Sequence, residues 1–475
     1  MSVEKSFEDV KKRLEGHNQG HLLAFLGQLD TARQQELLGQ ISKLDLAKVD
    51  VWVADFVRNP SPLEIPSEFT PAEAYGAEPA DEARRRKYAE ARKLGKELIS
   101  GGKVAAFVVA GGQGTRLGFD GPKGNFPISS VKNKTLFQLF AETITAVSKK
   151  YGAKCPWYIM TSPLNYEVTK QIFKSNDYYG LNESDVFIFE QGTLPNFDFE
   201  GRILLADKPK IACSPDGHGG SLKALCQSGA IEDMKRRGVE FISYFQVDNP
   251  LINIFDPLFI GLHAFDSSEM SSKALVKTGL MEKLGNFCLV DGKMIVIEYS
   301  DMPDELAEKR NEDGSLVFEL GSIAIHIISR GFVEKLNAKG FPLPLHRAVK
   351  KIEHINADGN FIKPTEPNGV KLESFVFDAL PLASKSIILE TVRSEEFGPV
   401  KNTTGVDSAE SSQKIMIARG ACWLESAGVA VPRNADGSVD CAIEIAPSFA
   451  LARDDIRGKV GRIPQIKPGD KVYLE

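Results

Sequence analysis

Apolar positions change their spacing along this chain, and the changes divide it into regions. Up to about residue 57, apolar residues recur at helical spacing in HLLAFLGQL (21–29) and ELLGQISKLDL (36–46), which predicts helices. Residues 59–81 are rich in Pro, Glu and Ala without a period and read as an extended connector. A charged helix is expected over 82–99, ended by Gly101 and Gly102. From residue 103 the pattern alternates. Short, nearly continuous apolar runs predict buried strands at 103–110, 157–161, 185–190 and 240–247. Amphipathic stretches between them predict helices over 135–150, 166–175 and 221–237. Residues 287–300 read as a hairpin about an Asp291–Gly292 turn, and 322–329 as a further strand. Beyond about 403, short strands and turns such as ADGS (435–438) predict a small, mostly β region.

Alternating strand and helix implies a parallel sheet with helices on both faces. The expected fold class is therefore α/β, with a Rossmann-like mixed, mainly parallel sheet. The expected division is a helical N-terminal region (1–100), a central domain (101–402) and a small β-rich C-terminal domain (403–475). Ligands of such sheets bind beyond the C-terminal strand ends. Three candidate features fall directly after predicted strands: a glycine-rich loop, Gln191 and Asp248.

The chain is long enough, at 475 residues, for two or three domains. With 42% hydrophobic and 26% charged residues it reads as an ordinary globular protein. A net charge of −6 argues against broad nucleic-acid or anionic-membrane binding. The N-terminus alternates charges and reads as no signal peptide, and no apolar run approaches the roughly 20 residues of a membrane helix. The six cysteines are scattered without metal spacing, so reduced thiols in a cytoplasmic protein are expected.

The loop is GGQGTRLGFDGPKG (111–124), in which six of fourteen residues are glycine. Backbone N–H groups freed by glycine, together with Arg116 and Lys123, suit a polyphosphate. Two commoner loops are excluded. The dinucleotide pattern G-x-G-x-x-G read from Gly112 meets Leu117 at its sixth position, and the lysine lies in Pro-Lys-Gly rather than before Ser or Thr. That failure also counts against an NAD-dependent dehydrogenase.

The pattern G-G-x-G-T-R-L-G…P-K-G resembles the nucleotide loop of the UDP-sugar pyrophosphorylase family, on its N-acetylglucosamine branch. Further matches follow in family order: PWYIMTS (156–162), FEQG (189–192), SPDGHGG (214–220), VDN (247–249), IEYSD (297–301), EPNGVKLESFVFD (366–378) and PVKN (399–402). The resemblance implies a nucleotide-diphospho-sugar transferase fold. It also implies transfer of a uridylyl group from UTP to a hexose 1-phosphate, giving a UDP-sugar and pyrophosphate. Such a reaction asks for positioning and charge neutralisation more than for an acid–base triad.

By this resemblance Arg116, Lys123 and Lys401 meet the phosphates, and Asp248 holds Mg²⁺. Gly111, Gly112, Gly114, Gln191 and Gly217 take the nucleotide. His218, Gly285, Glu298, Ser322, Phe375 and Phe377 line the sugar pocket. Members acting on N-acetylglucosamine carry Asn in Pro-Asp-Gly-Asn-Gly-Gly, where this chain has His218. A second asparagine, expected within 321–326, is also absent, with Ser322 and Ile325 the candidates for its place. GHG is the wording of glucose and broad UDP-sugar members. N-acetylglucosamine 1-phosphate is thus the first expected acceptor, with glucose or galactose 1-phosphate next. A non-catalytic UDP-sugar sensor would lack a phosphate cation or the metal carboxylate, and all four are present.

Overall fold

The computed structural model describes residues 3–60, 66, 68–280 and 282–475. Residues 61–65 and 67, part of the connector expected over 59–81, lie outside the described residues. Two compact units are present. The smaller is assembled from Met1–Pro66, Gly192–Gly220 and Leu343–Val376; the larger from Ser67–Gln191, Ser221–Pro342 and Phe377–Glu475.

The larger unit is built on a ten-stranded sheet. Its strands are β1 (Thr70–Pro71), β2 (Val104–Val109), β3 (Trp157–Thr161), β4 (Val186–Glu190), β5 (Phe241–Gln246), β6 (Met270–Val276), β7 (Asn286–Val290), β8 (Lys293–Ile297), β9 (Leu320–Ser329) and β10 (Ser386–Glu390). On one side of it β5, β2, β3 and β4 lie side by side and parallel, with β4 at the edge. β9 runs antiparallel to both β5 and β6, and β10 is parallel to β6. The hairpin of β7 and β8 turns at Asp291 and Gly292, both with positive φ, as an Asp-Gly turn requires.

Every residue of β3 and the first five of β2 are buried, which explains why both read as unbroken apolar runs. Helix Leu136–Tyr151 is capped by the Thr135 side chain and ends at left-handed Gly152. Its Phe137 meets Trp157 and Phe173 edge to face, with centroids 6.2 and 5.1 Å away. Burying aromatics of this size contributes about 1.5–3 kcal/mol each.

In the smaller unit, helices Val3–Gly16, Thr31–Ser42 and Leu46–Trp52 supply Leu14, Leu37, Ile41 and Val49 to one core. The same core takes Phe197, Ile203, Val370 and Leu372 from the two later stretches.

Three local expectations are corrected. The segment 21–29 forms two short 3-10 turns, Gly20–Leu23 and Leu26–Gln28. Apolar residues three apart satisfy a three-residue turn as well as an α-helix. The helix expected over 221–237 is two helices, Gly220–Gln227 and Ala230–Arg237, parted at Gly229, which has φ 82°. The region after 403, expected to be mostly β, carries the 18-residue helix Ala409–Ser426, with one parallel pair, Ala442–Ile445 and Lys471–Leu474. The buried face of that helix includes Ser412, Gly420 and Ala421, too small and polar to register as an apolar stripe.

Candidate active site

β2 runs directly into Gly111, and its parallel neighbour β5 runs towards Asp248. Val109 pairs with Gln246, and the Val247 N–H donates to the Val109 carbonyl at 3.2 Å. The chain proceeds from β2 to β3 and β4 on one side, then places β5 on the other side of β2. This is a topological switch point, where doubly wound sheets receive ligands beyond the strand ends.

The loop after β2 closes on itself. The Gly114 N–H donates to the Gly121 carbonyl at 2.9 Å, and the Lys123 N–H to the Gly112 carbonyl at 3.0 Å. The Asn165 side-chain Nδ2 donates to both the Gly111 and Gly112 carbonyls at 3.0 Å. At its far end Gly124 lies on the Phe137 ring, where a Cβ would come within 2.1 Å of Cζ. A Cβ on Gly111 would fall 2.7 Å from Gln191 Oε1 and 3.2 Å from the Ser162 nitrogen, so these three residues converge. Gly112 is exposed, and a Cβ there would meet nothing within 4 Å.

Charge gathers beside this loop. Burial pushes the Lys123 ammonium below the ordinary lysine range; Asp248 opposes that, while Lys401 and Arg116 add to it. Four residues from three distant parts of the sequence therefore sit within one electrostatic neighbourhood. Asp248 is buried at 8% exposure, and its carbonyl accepts the Val400 N–H at 2.8 Å, tying the lysine-bearing segment to the end of β5. Lys401 Nζ lies 5.8 Å from the Phe397 ring centre. Arg116 is exposed, on the 3-10 turn Thr115–Leu117.

A second group of expected residues is also brought together. The Ser322 N–H donates to the Gly285 carbonyl at 2.8 Å. A Cβ on Gly285 would lie 2.6 Å from Val296 Cγ1 and 3.4 Å from Glu298 Oε1. Phe377 is half-buried within the 3-10 stretch Val376–Leu382.

In the smaller unit, Gly217 takes φ 83°, and a Cβ there would strike the Ser374 carbonyl oxygen at 2.2 Å. No other residue fits that combination of left-handed backbone and close approach. His218 Nδ1 accepts the Val376 N–H at 3.0 Å, which places the neutral ring's proton on Nε2. Its ring stacks on Phe375 at 5.3 Å, and Phe375 stacks on His346 at 4.4 Å.

Two residues of this arrangement were not among the candidates. Asn165 is buried at 1% exposure and holds the glycine loop; an Asn in the turn three residues after Ser162 is the signal that could have found it. The Asp407 carbonyl accepts the N–H groups of Lys401 at 2.6 Å and Asn402 at 2.9 Å. Burial pushes the Asp407 carboxyl up, Lys401 pulls it down and Asp248 pushes it up. A lone Asp in a polar loop gives no sequence signal for this.

A family model described as UTP–glucose-1-phosphate uridylyltransferase matches residues 75–474. The chain belongs to this family. Among curated members, it is 35% identical over 476 residues to human UDP-N-acetylhexosamine pyrophosphorylase-like protein 1, covering 94% of this chain and 93% of the human one. It is 38% identical over 382 residues to UDP-N-acetylglucosamine pyrophosphorylase of Saccharomyces cerevisiae, covering 78% and 79% of the two chains. The fold matches the crystal structure of a uridine diphosphate N-acetylglucosamine pyrophosphorylase from Trypanosoma brucei. The TM-score is 0.78 at 24% identity, over 100% of this chain and 98% of that one.

Nucleotidyltransferases of this kind generally use a divalent metal. Among the described residues, no group of three or more His, Cys, Asp or Glu side chains is gathered to hold one. The buried Asp248 carboxylate beside three cations fits a hard ion that arrives with phosphates and keeps several waters, rather than one caged by protein. Among the described residues no helix is long and apolar enough to cross a membrane.

Proposed function

We propose that the chain is a uridylyltransferase that joins UTP and a hexose 1-phosphate into a UDP-sugar. A phosphate oxygen of the hexose 1-phosphate attacks the α-phosphorus of UTP. The new P–O bond forms as the bond from that phosphorus to the bridging oxygen breaks, and pyrophosphate leaves with the electron pair. The attacking group is already an anion near neutral pH, since its second pKa is about 6, so no general base has to create it. The task left to the protein is alignment and absorption of negative charge.

The observation that carries this reading is the grouping of Arg116, Lys123, Lys401 and Asp248 at the switch point. Arg116 is assigned to the phosphates around the departing pyrophosphate, Lys123 to the reacting phosphates, and Lys401 to a further phosphate contact. Gly111, Gly112, Gly114 and Gln191 are assigned to uridine, where an amide offers the donor and acceptor an imide edge needs. Gly217 is assigned to the base or ribose. Glu298 is assigned to sugar hydroxyls, with Gly285 and Ser322 beside it. His218 is assigned to a sugar hydroxyl or phosphate, and Phe375 and Phe377 to walls of a sugar pocket. Asp248 would hold Mg²⁺, which when bound neutralises charge on the phosphates. Residues 101–402 carry the transfer chemistry, with 1–100 and 403–475 as flanking regions. The reaction is placed in the cytoplasm, which suits six unpaired cysteines.

N-acetylglucosamine 1-phosphate is the favoured acceptor, supported by the yeast relative that bears that activity in its name. His218 favours glucose or galactose 1-phosphate as the second reading. The test is pyrophosphate release from UTP with each of these sugar 1-phosphates. N-acetylglucosamine 1-phosphate is expected to give the highest kcat/KM, with Arg116→Ala and Lys123→Ala each losing about 10²-fold or more in kcat. No release with any of them removes the assignment.

A further inference from the structure

Asn249, next to Asp248, is buried at 6% exposure, and its side-chain amide is committed to backbone on both sides. Nδ2 donates to the Glu396 carbonyl at 2.6 Å, while Oδ1 accepts the Gly398 N–H at 3.2 Å and the Leu251 N–H at 3.3 Å. With the Val400 N–H on the Asp248 carbonyl at 2.8 Å, these bonds lace the turn after β5 to the segment leading into Lys401. The fit is close: a Cβ on Gly398 would lie 2.5 Å from Leu251 Cδ1, and Ser412 Oγ donates to the Gly398 carbonyl at 2.6 Å.

Behind this seam lies a buried ion group. Glu396, 7% exposed, accepts the Asn253 N–H at 3.1 Å through Oε1 and bonds Lys273 and Thr391 through Oε2. Lys273, 1% exposed, also donates to Asp256 at 2.7 Å. It sits where β6 shifts register between Ser272 and Ala274, and such bulges re-aim side chains beside functional sites. Burial opposes the ammonium, yet Asp256 and Glu396 together hold it charged. Buried ion groups are costly and are often replaceable by apolar residues without loss of stability. Here Glu396 ties its own segment to the Asn253 N–H across the seam that Asn249 laces, and the seam joins a carboxylate to a lysine from far along the chain.

We propose that Asn249 and Glu396, with Lys273 as their buried counter-charge, are positioning residues that set the spacing between Asp248 and Lys401. The proposal rests on the uridylyltransferase reading, and the residues act through Asp248 and Lys401 rather than on substrate.

The test compares wild type with Asn249→Ala, Asn249→Asp and Glu396→Gln. Ile443→Ala, in the core of the C-terminal region, serves as a purely destabilising control. Three quantities are measured: steady-state pyrophosphate release, Tm, and Mn²⁺ affinity with saturating UTP, read from the electron paramagnetic resonance of free Mn²⁺. Asn249→Asp keeps the acceptor for Gly398 and Leu251 but loses the donor to Glu396. The expected result is a ten- to hundred-fold loss of kcat, a UTP KM within about threefold, and Mn²⁺ affinity weakened about tenfold in the Asn249 and Glu396 variants. Ile443→Ala should lose Tm alone. If the Asn249 and Glu396 variants lose Tm like the control while kcat and Mn²⁺ affinity hold, the positioning role is overturned. If Asn249→Ala does not fold, Glu396→Gln, which keeps its volume and an acceptor for Asn253, decides between the same two results. A wild type that releases no pyrophosphate overturns the uridylyltransferase reading instead.

Discussion

Substituting Gly112 separates ligand binding from folding. The residue is exposed, its φ is not left-handed, and an added Cβ would meet nothing within 4 Å. Gly112→Ala therefore carries no steric cost in the protein itself. Restricting the unfolded chain should stabilise the fold by about 0.4–1 kcal/mol. Should uracil lie against this backbone, the methyl intrudes on a packed contact, and overpacking of that kind costs about 1–3 kcal/mol. At 1.4 kcal/mol per tenfold, this weakens UTP roughly 5- to 150-fold. Gly124→Ala is the opposite case: its Cβ would sit 2.1 Å from Phe137 Cζ, so it should lower Tm whatever the ligand does. Thermal melting and calorimetric titration with UTP give both numbers. Equal UTP affinity in wild type and Gly112→Ala would show that the base does not lie at this backbone. A drop in Tm for Gly112→Ala would show that the loop needs this glycine for its own geometry.

Lys123→Met should raise Tm near neutral pH while abolishing most turnover, because it removes a half-buried cation held near Arg116 and Lys401. The lysine's folded pKa is depressed, so between it and 10.5 the unfolded chain binds more protons and wild-type stability rises with pH. The Tm advantage of the variant should shrink as pH rises through that window, and an advantage independent of pH would contradict the burial cost. His218→Asn should keep the loop, since asparagine Oδ1 can take over from Nδ1 in accepting the Val376 N–H, and should raise kcat/KM for N-acetylglucosamine 1-phosphate relative to glucose 1-phosphate. His218→Ala leaves that N–H unpaired and should cost about 1–3 kcal/mol of stability in chemical denaturation. An unchanged sugar ratio in His218→Asn would remove this histidine from sugar selection.

What could be read in advance was local. Unbroken apolar runs marked β2 and β3, and Thr135 and Gly152 marked the ends of the helix between them. Gly111, Gln191 and Asp248 stood out because each follows a strand, a relation visible along the chain. Helix Ala409–Ser426 escaped because its buried face is partly Ser, Gly and Ala. The break at Gly229 escaped because one glycine inside an amphipathic stretch does not by itself end a helix. The bonds from Asn249 to Glu396 and Gly398 could not be read, since nothing in either segment names its partner. Family resemblance supplied Lys401, which spacing alone would not have picked out.

The main core of the smaller unit draws on Met1–Pro66, on Gly192–Gly220 and on Leu343–Val376. On a ribosome the first of these emerges roughly three hundred residues before the last, an interval of about 15–60 s at 5–20 residues per second. Throughout it Leu37, Ile41 and Val49 lack Val370 and Leu372, which complete the same core. The opening helices thus wait for the last stretch of their core, and the nascent chain is expected to leave part of its apolar surface open to holdase chaperones until translation passes residue 376.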